Sequence, residues 1–276
     1  MPWAEMVITR LVSTLGLAYA LLGPAAAAAE VVPVRHTEGL VHGFLVLRTL
    51  EGKTIAEGDL TEVANGETVT THLLFHFRDG SLHEEKAVFS QRQSFRLLTD
   101  HLVQKGPAFQ NPLEASIDTS KHEVTVHYRD HDGKDKVTTE RFDLPSDTAN
   151  GMVLTVLKNI RPDVPESKVS MVAFTPKPRV VTLSITPGGE EGFVIAQSPR
   201  QAMRYDVNVG IGGVTGWIAK LMGKLPPTIH VWIVGGEAPA FVKSEGPLYM
   251  GGPVWRIELA SPQWSKPEAG KQSEGP

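Results

Sequence analysis

No cysteine occurs among the 276 residues. That absence excludes disulfides, thiolate metal sites, a cysteine nucleophile and a lipid anchor on an N-terminal cysteine. Stability must come from burial of apolar surface, and a chain of about 250 residues is long enough to supply it. Charge of one sign is lacking too: 27 Lys and Arg stand against 31 Asp and Glu, a net of −4. Such a balance gives no electrostatic case for nucleic acid. Beyond residue 22 no apolar run approaches the ~20 residues that span a bilayer. The local signatures of hydrolases and nucleotide binders are absent as well, with no G-x-S-x-G, S-x-x-K or P-loop, and His83-Glu84 has no second His to complete H-E-x-x-H.

What is present begins with an export signal. Leu11 to Leu22 is an apolar stretch of signal-peptide length, preceded by Arg10, whose charge Glu5 offsets. Gly23-Pro24 breaks the segment, and the small residues Ala25 to Ala29 offer A-x-A sites, which predicts a cleaved signal peptide over 1–29. The expected location is periplasmic or secreted, in a bacterium, with no membrane span after cleavage. Residues 30–260 read as a single β-rich domain, and 261–276, made mainly of Pro, Gly, Lys, Glu and Ser, as a disordered tail.

From Gly39 onward the apolar spacing is mostly two, and turn residues recur every eight to fifteen positions, the pattern of an antiparallel meander. In Val69 to Arg78, Thr71, Leu73, Phe75 and Phe77 share one face, while Thr70, His72, His76 and Arg78 share the other. Hairpins are expected about Gly52, Asn65-Gly66, Asp79-Gly80 and Asp132-Gly133. One helix is expected over 152–160, with Met152, Val153, Val156, Leu157 and Ile160 as its apolar stripe and Pro145-Ser146-Asp147 as its cap. Strands follow at 168–174, 179–186, 193–196 and 202–209, then a short helix at 214–222 and strands at 229–234 and 254–259. The fold class is mainly β: a curved antiparallel sheet, half-barrel or barrel-like, with one or two packed helices.

Candidate chemistry is sparse. His72, His76 and His83 with Glu84 and Glu85 are the best metal cluster, yet His72 and His76 stand about 13 Å apart along one strand. Asp130, Asp132, Gly133 and Asp135 resemble part of a calcium loop but lack its twelfth-position Glu, so the stretch reads as a charged turn. Val209 to Gly216 mimics a dinucleotide fingerprint with the wrong glycine spacing, and reads as a glycine-rich turn. Asp143 and Asp147 could form an acid–base pair, but helix capping explains them better.

The run Asp143 to Met152, and the stretches Gly223 to Pro227, His230 to Ile233, Ala238 to Phe241, Glu245 to Tyr249 and Gly252 to Ile257, resemble an uncharacterised family of bacterial exported proteins. That resemblance covers most of the chain after the signal and brings no catalytic motif. In architecture, a signal peptide followed by a long meander with a helix is similar to the half-barrel class of the periplasmic outer-membrane lipoprotein carrier. The leading functional expectation is non-enzymatic binding of a lipid or other amphiphile between sheet and helix. Phe44, Val46, Met152, Val156, Ile160, Met171 and Phe174 would line the site, and no cofactor is called for. The alternatives are a metal-assisted hydrolase on the histidine cluster and an envelope module that binds a protein partner through Phe241, Tyr249 and Trp255.

Overall fold

The computed structural model describes residues 31–195, 197–210 and 226–260. Eight consecutive strands come first: β1 (Leu40–Thr49), β2 (Thr54–Asn65), β3 (Thr68–Phe77), β4 (Leu82–Gln91), β5 (Phe95–Lys105), β6 (Leu113–Asp118), β7 (Glu123–Arg129) and β8 (Asp135–Arg141). Helix α1 (Val153–Asn159) follows, and then β9 (Ser167–Ala173), β10 (Arg179–Ile195), β11 (Ser198–Gly210), β12 (Ile229–Val234), β13 (Ala240–Gly246) and β14 (Trp255–Leu259). Within β1–β8 and within β9–β14 each strand pairs antiparallel with its sequence neighbours, giving two meanders, and β1 pairs with β14 to join them. The result is one 14-stranded sheet with β8 and β9 at its two edges, not closed into a barrel.

A flat sheet of this width could not bury one face, because natural twist forces wide sheets to curl. Here Val124 and Val126 of β7, near one edge, belong to the same apolar cluster as Val169 and Val172 of β9, at the other. The inner face therefore wraps around α1, whose Val156 and Leu157 are buried in that cluster. Phe75 and Phe89 are fully buried there, each contributing on the order of 2–3 kcal/mol.

Most strands lie where the alternation predicts, and several details differ. The segments expected at 179–186 and 193–196 are one 17-residue strand, continuous through a bulge between Pro187 and Gly189. Strand β13 (Ala240–Gly246) falls in a stretch for which no strand is expected. At the second hairpin Asn65 pairs with Thr68, so the two loop residues are Gly66 and Glu67, with Gly66 at φ 61°. The first-turn cap of α1 is also different: Met152 is its N-cap and makes no side-chain capping bond. Asp147 instead turns to the sheet edge, its Oδ2 accepting from Ser170 N (2.9 Å) and Ser170 Oγ (3.1 Å). Asn150 continues this pairing: Val172 N donates to its Oδ1 (2.7 Å) and its Nδ2 donates to Val172 O (3.0 Å). Residues 147–150 thus cover the exposed row of β9, while β8 keeps its edge solvated with Lys136, Glu140 and Arg141. The helix expected at 214–222, the signal peptide and the tail all lie outside the described residues.

Candidate functional site

Two concavities lie on opposite faces of the sheet. The larger, of about 620 Å3, is on the outer face. β11 pairs with β12 only from Met203 to Val207, so the distal part of the β10–β11 hairpin is a free two-stranded ribbon. That ribbon reaches back over the sheet until Phe193, Val194 and Ile195 share the groove with His42 and Phe44 of β1. Trp232, Lys243 and Glu258 line it as well. Trp232 Nε1 donates to Glu191 Oε2 (2.8 Å), and the Lys243 ammonium sits 3.7 Å from the Trp232 ring centroid. Phe44 is 53% exposed and Val194 68%. Large apolar side chains left this open and facing one groove are the mark of an interaction surface.

Strand geometry divides the expected ligand lining. Leu45 and Leu47 are buried on the inner face, so the period of two turns Phe44 and Val46 outward, away from the helix. Phe44 lines the outer groove, and half-buried Val46 shares its face. Met152, Val156 and Ile160 are buried in the core, and Met171 and Phe174 pack against it. The seven residues therefore do not form one site. Phe241 and Trp255, expected as exposed aromatics, are buried, and Trp255 lies 5.5 Å from Phe77 and 6.1 Å from half-buried Tyr249, between ring centroids.

The histidine cluster is likewise split by the sheet. His83 is opposite Phe75 and faces inward, whereas His72 faces outward, its Nε2 2.8 Å from Glu84 Oε1. His76, four residues on, is exposed on that same outer side. Among the described residues no three His, Asp or Glu side chains are grouped to hold a metal ion. Burial holds the His83 imidazole down at about 4, so it is neutral, with Gln104 Nε2 3.0 Å from its Nδ1. The Asp130 to Asp135 stretch is a hairpin turn in which Asp130 Oδ1 accepts from the backbone N–H groups of Asp132 and Lys134. Of the glycine-rich run, only Val209 and Gly210 lie within the described residues, and both belong to β11.

The second concavity, about 200 Å3, lies on the inner face beside the start of α1. Met152 and Met171 line it, together with Leu60, Leu73, Glu62 and Glu85. Around it is a group of buried acids that alternation alone did not reveal. Lys158 Nζ bridges Glu38 Oε1 (2.7 Å) and Glu62 Oε2 (2.9 Å), all three side chains being at most 8% exposed. Thr155 Oγ1 also donates to Glu62 Oε1 (3.0 Å). Burial, and then the Glu62 charge, push Glu38 up to about 7 despite the lysine. Desolvation raises Glu85 to about 7 as well, and desolvation together with the Glu85 charge raises Asp100 well above its ordinary range.

No protein-family model and no curated protein matches the chain. Among solved structures it is similar to a β-barrel-like protein of a domain of unknown function, DUF1849, from Brucella abortus. Identity is 11%, the alignment covers 84% of this chain and 98% of that one, and the TM-score is 0.41. The likeness brings no residue role to this chain.

Proposed function

We propose that this is an exported, non-enzymatic binding protein for a single-chain amphiphile, held with its apolar chain in the outer groove. The observation that carries the reading is the convergence of Phe44, Val194 and Ile195, all exposed, on a groove of about 620 Å3. That volume is within the range of small-molecule sites. The polar groups at hand are few, as such a site requires: Lys243, His42 and Glu191 can meet a head group while the chain lies along the apolar wall. The Leu11 to Leu22 run and the alanine tract after it support delivery to an extracytoplasmic space, where amphiphiles need a carrier. The outer face suits a chain better than the space between helix and sheet, where the concavity is about a third as large.

A fluorescent fatty acid titrated into the protein tests this. Saturable binding displaced by lysophospholipid is the expected result, and Phe44→Asp, at an exposed position that leaves the core untouched, should weaken it at least tenfold. Absence of binding, or equal binding by Phe44→Asp, sinks the proposal.

A further inference from the structure

We propose that the inner pocket is a separate site for a small organic ammonium ion, its charge seated against Glu85, with the Asp100 carboxyl directly behind Gly151, and its hydrocarbon body against Leu60, Leu73, Met152 and Met171.

Strand register brings the two acids together. Glu62, Thr71, Ala87 and Asp100 are cross-strand partners in one row, and Leu60, Leu73, Glu85 and Leu102 form the next. Glu85 and Asp100 are therefore diagonal neighbours across β4 and β5, with both side chains on the inner face. Asp100 is 1% exposed, and neither of its carboxyl oxygens has a hydrogen-bond partner. Its Oδ1 lies against Gly151, which lines the pocket: a Cβ placed on Gly151 would come within 2.8 Å of it.

Charge on this face is unbalanced. Lys158 is engaged by Glu38 and Glu62, His83 in the neighbouring row is neutral, and among the described residues no ion pair reaches Glu85 or Asp100. Two adjacent carboxyls, one buried and one half-buried, without a counter-cation are held there by retaining protons or by accepting a cation. Calcium would need six to eight oxygen ligands and zinc about four ligands, and no third acid or histidine joins the pair. An alkylammonium fits better: its charge compensates the acid pair through Glu85, which lines the pocket, and its chain matches the apolar walls. The pocket holds about seven waters' share of liquid volume, which limits the guest to a short alkyl or aralkyl amine. Half-buried Glu85, Leu60 and Leu73 leave an entry from solvent.

Hexylamine, hexanol and hexanoate, followed by isothermal titration on the full chain, test the site. At pH 8 hexylamine should bind and hexanol and hexanoate should not. At pH 5.5, where the acids are protonated, hexylamine binding should fall at least tenfold. Glu85→Gln, which removes a buried charge and leaves the shape intact, should abolish the pH 8 binding, and Asp100→Asn should do the same. Phe44→Asp should leave amine binding unchanged, and Glu85→Gln should leave fatty-acid binding unchanged, which separates this site from the outer groove. Equal binding of hexanol and hexylamine, undiminished binding by folded Glu85→Gln, or no amine binding at pH 8 overturns the proposal; in the last case the pair holds protons alone.

Discussion

Replacing Lys158 by Met removes a single cation from between two buried carboxyls and keeps the stem that packs along α1. Breaking a buried ion pair by deleting one partner costs about 3–5 kcal/mol when the other charge is stranded, and here one ammonium at 2.7 and 2.9 Å serves two acids. The size of the loss must depend on pH. Glu38 is raised from 4.5 to about 7, so the folded chain holds this proton more tightly than the unfolded chain. Its stabilising share is fully present below pH 4.5 and disappears as pH rises towards 7. Without Lys158 the two carboxyls repel each other in a dry site, and the proton is held to still higher pH. At pH 8 the variant should lose about 3–5 kcal/mol. At pH 4.5, where Glu38 holds its proton and needs no counter-ion, the loss should be smaller. Urea unfolding followed by circular dichroism at the two pH values measures the difference. Equal losses at both would refute the assignment of Lys158 as the counter-ion of a buried acid pair.

Two further substitutions probe the turn before α1. Gly151→Ala imposes a side chain at φ 63°, where its Cβ would lie 2.5 Å from Ala87 Cβ; differential scanning calorimetry should show a loss of at least about 2 kcal/mol, and unchanged stability would mean that the turn is not held against β4. Asn150→Ala strips both partners from the Val172 backbone, an expected loss of about 2–4 kcal/mol together with faster amide exchange along β9; native-like exchange there would show that the edge does not depend on its side-chain cover.

The strands were legible because alternation is a local property. β12 falls on its expected bounds, and the Asp-Gly turns lie where their chemistry places them. What depends on counting across a defect was not legible. In β5 the residues Phe95 and Leu97 face inward, and continued alternation would turn Asp100 outward. A bulge at Leu98, marked by the register shift from Val88–Thr99 to Phe89–Leu97, reverses the phase and drives Asp100 into the interior. No turn residue announces that bulge, so the acid pair with Glu85, 15 positions away, stayed hidden. The split of the expected lining has a simpler origin: Leu45 and Leu47 claim the inner face, so Phe44 and Val46 could never have joined the helix. The reach of the β10–β11 ribbon over β1 was invisible for another reason, since it is set by contacts between residues some 150 apart.

The pairing of the first strand with the last has a consequence for the order in which this molecule can come into being. The seam between β1 and β14 joins Leu45 to Leu259 and runs through the middle of the sheet. A chain emerging from its N-terminus can build the first meander early, yet that meander presents β1 as a bare edge until the closing residues arrive. Contacts spanning this much sequence are slow to find, and an unpaired central edge is an invitation to the wrong partner. Until its final strand appears the protein is a half-sheet, kept from its own interior by the part not yet made.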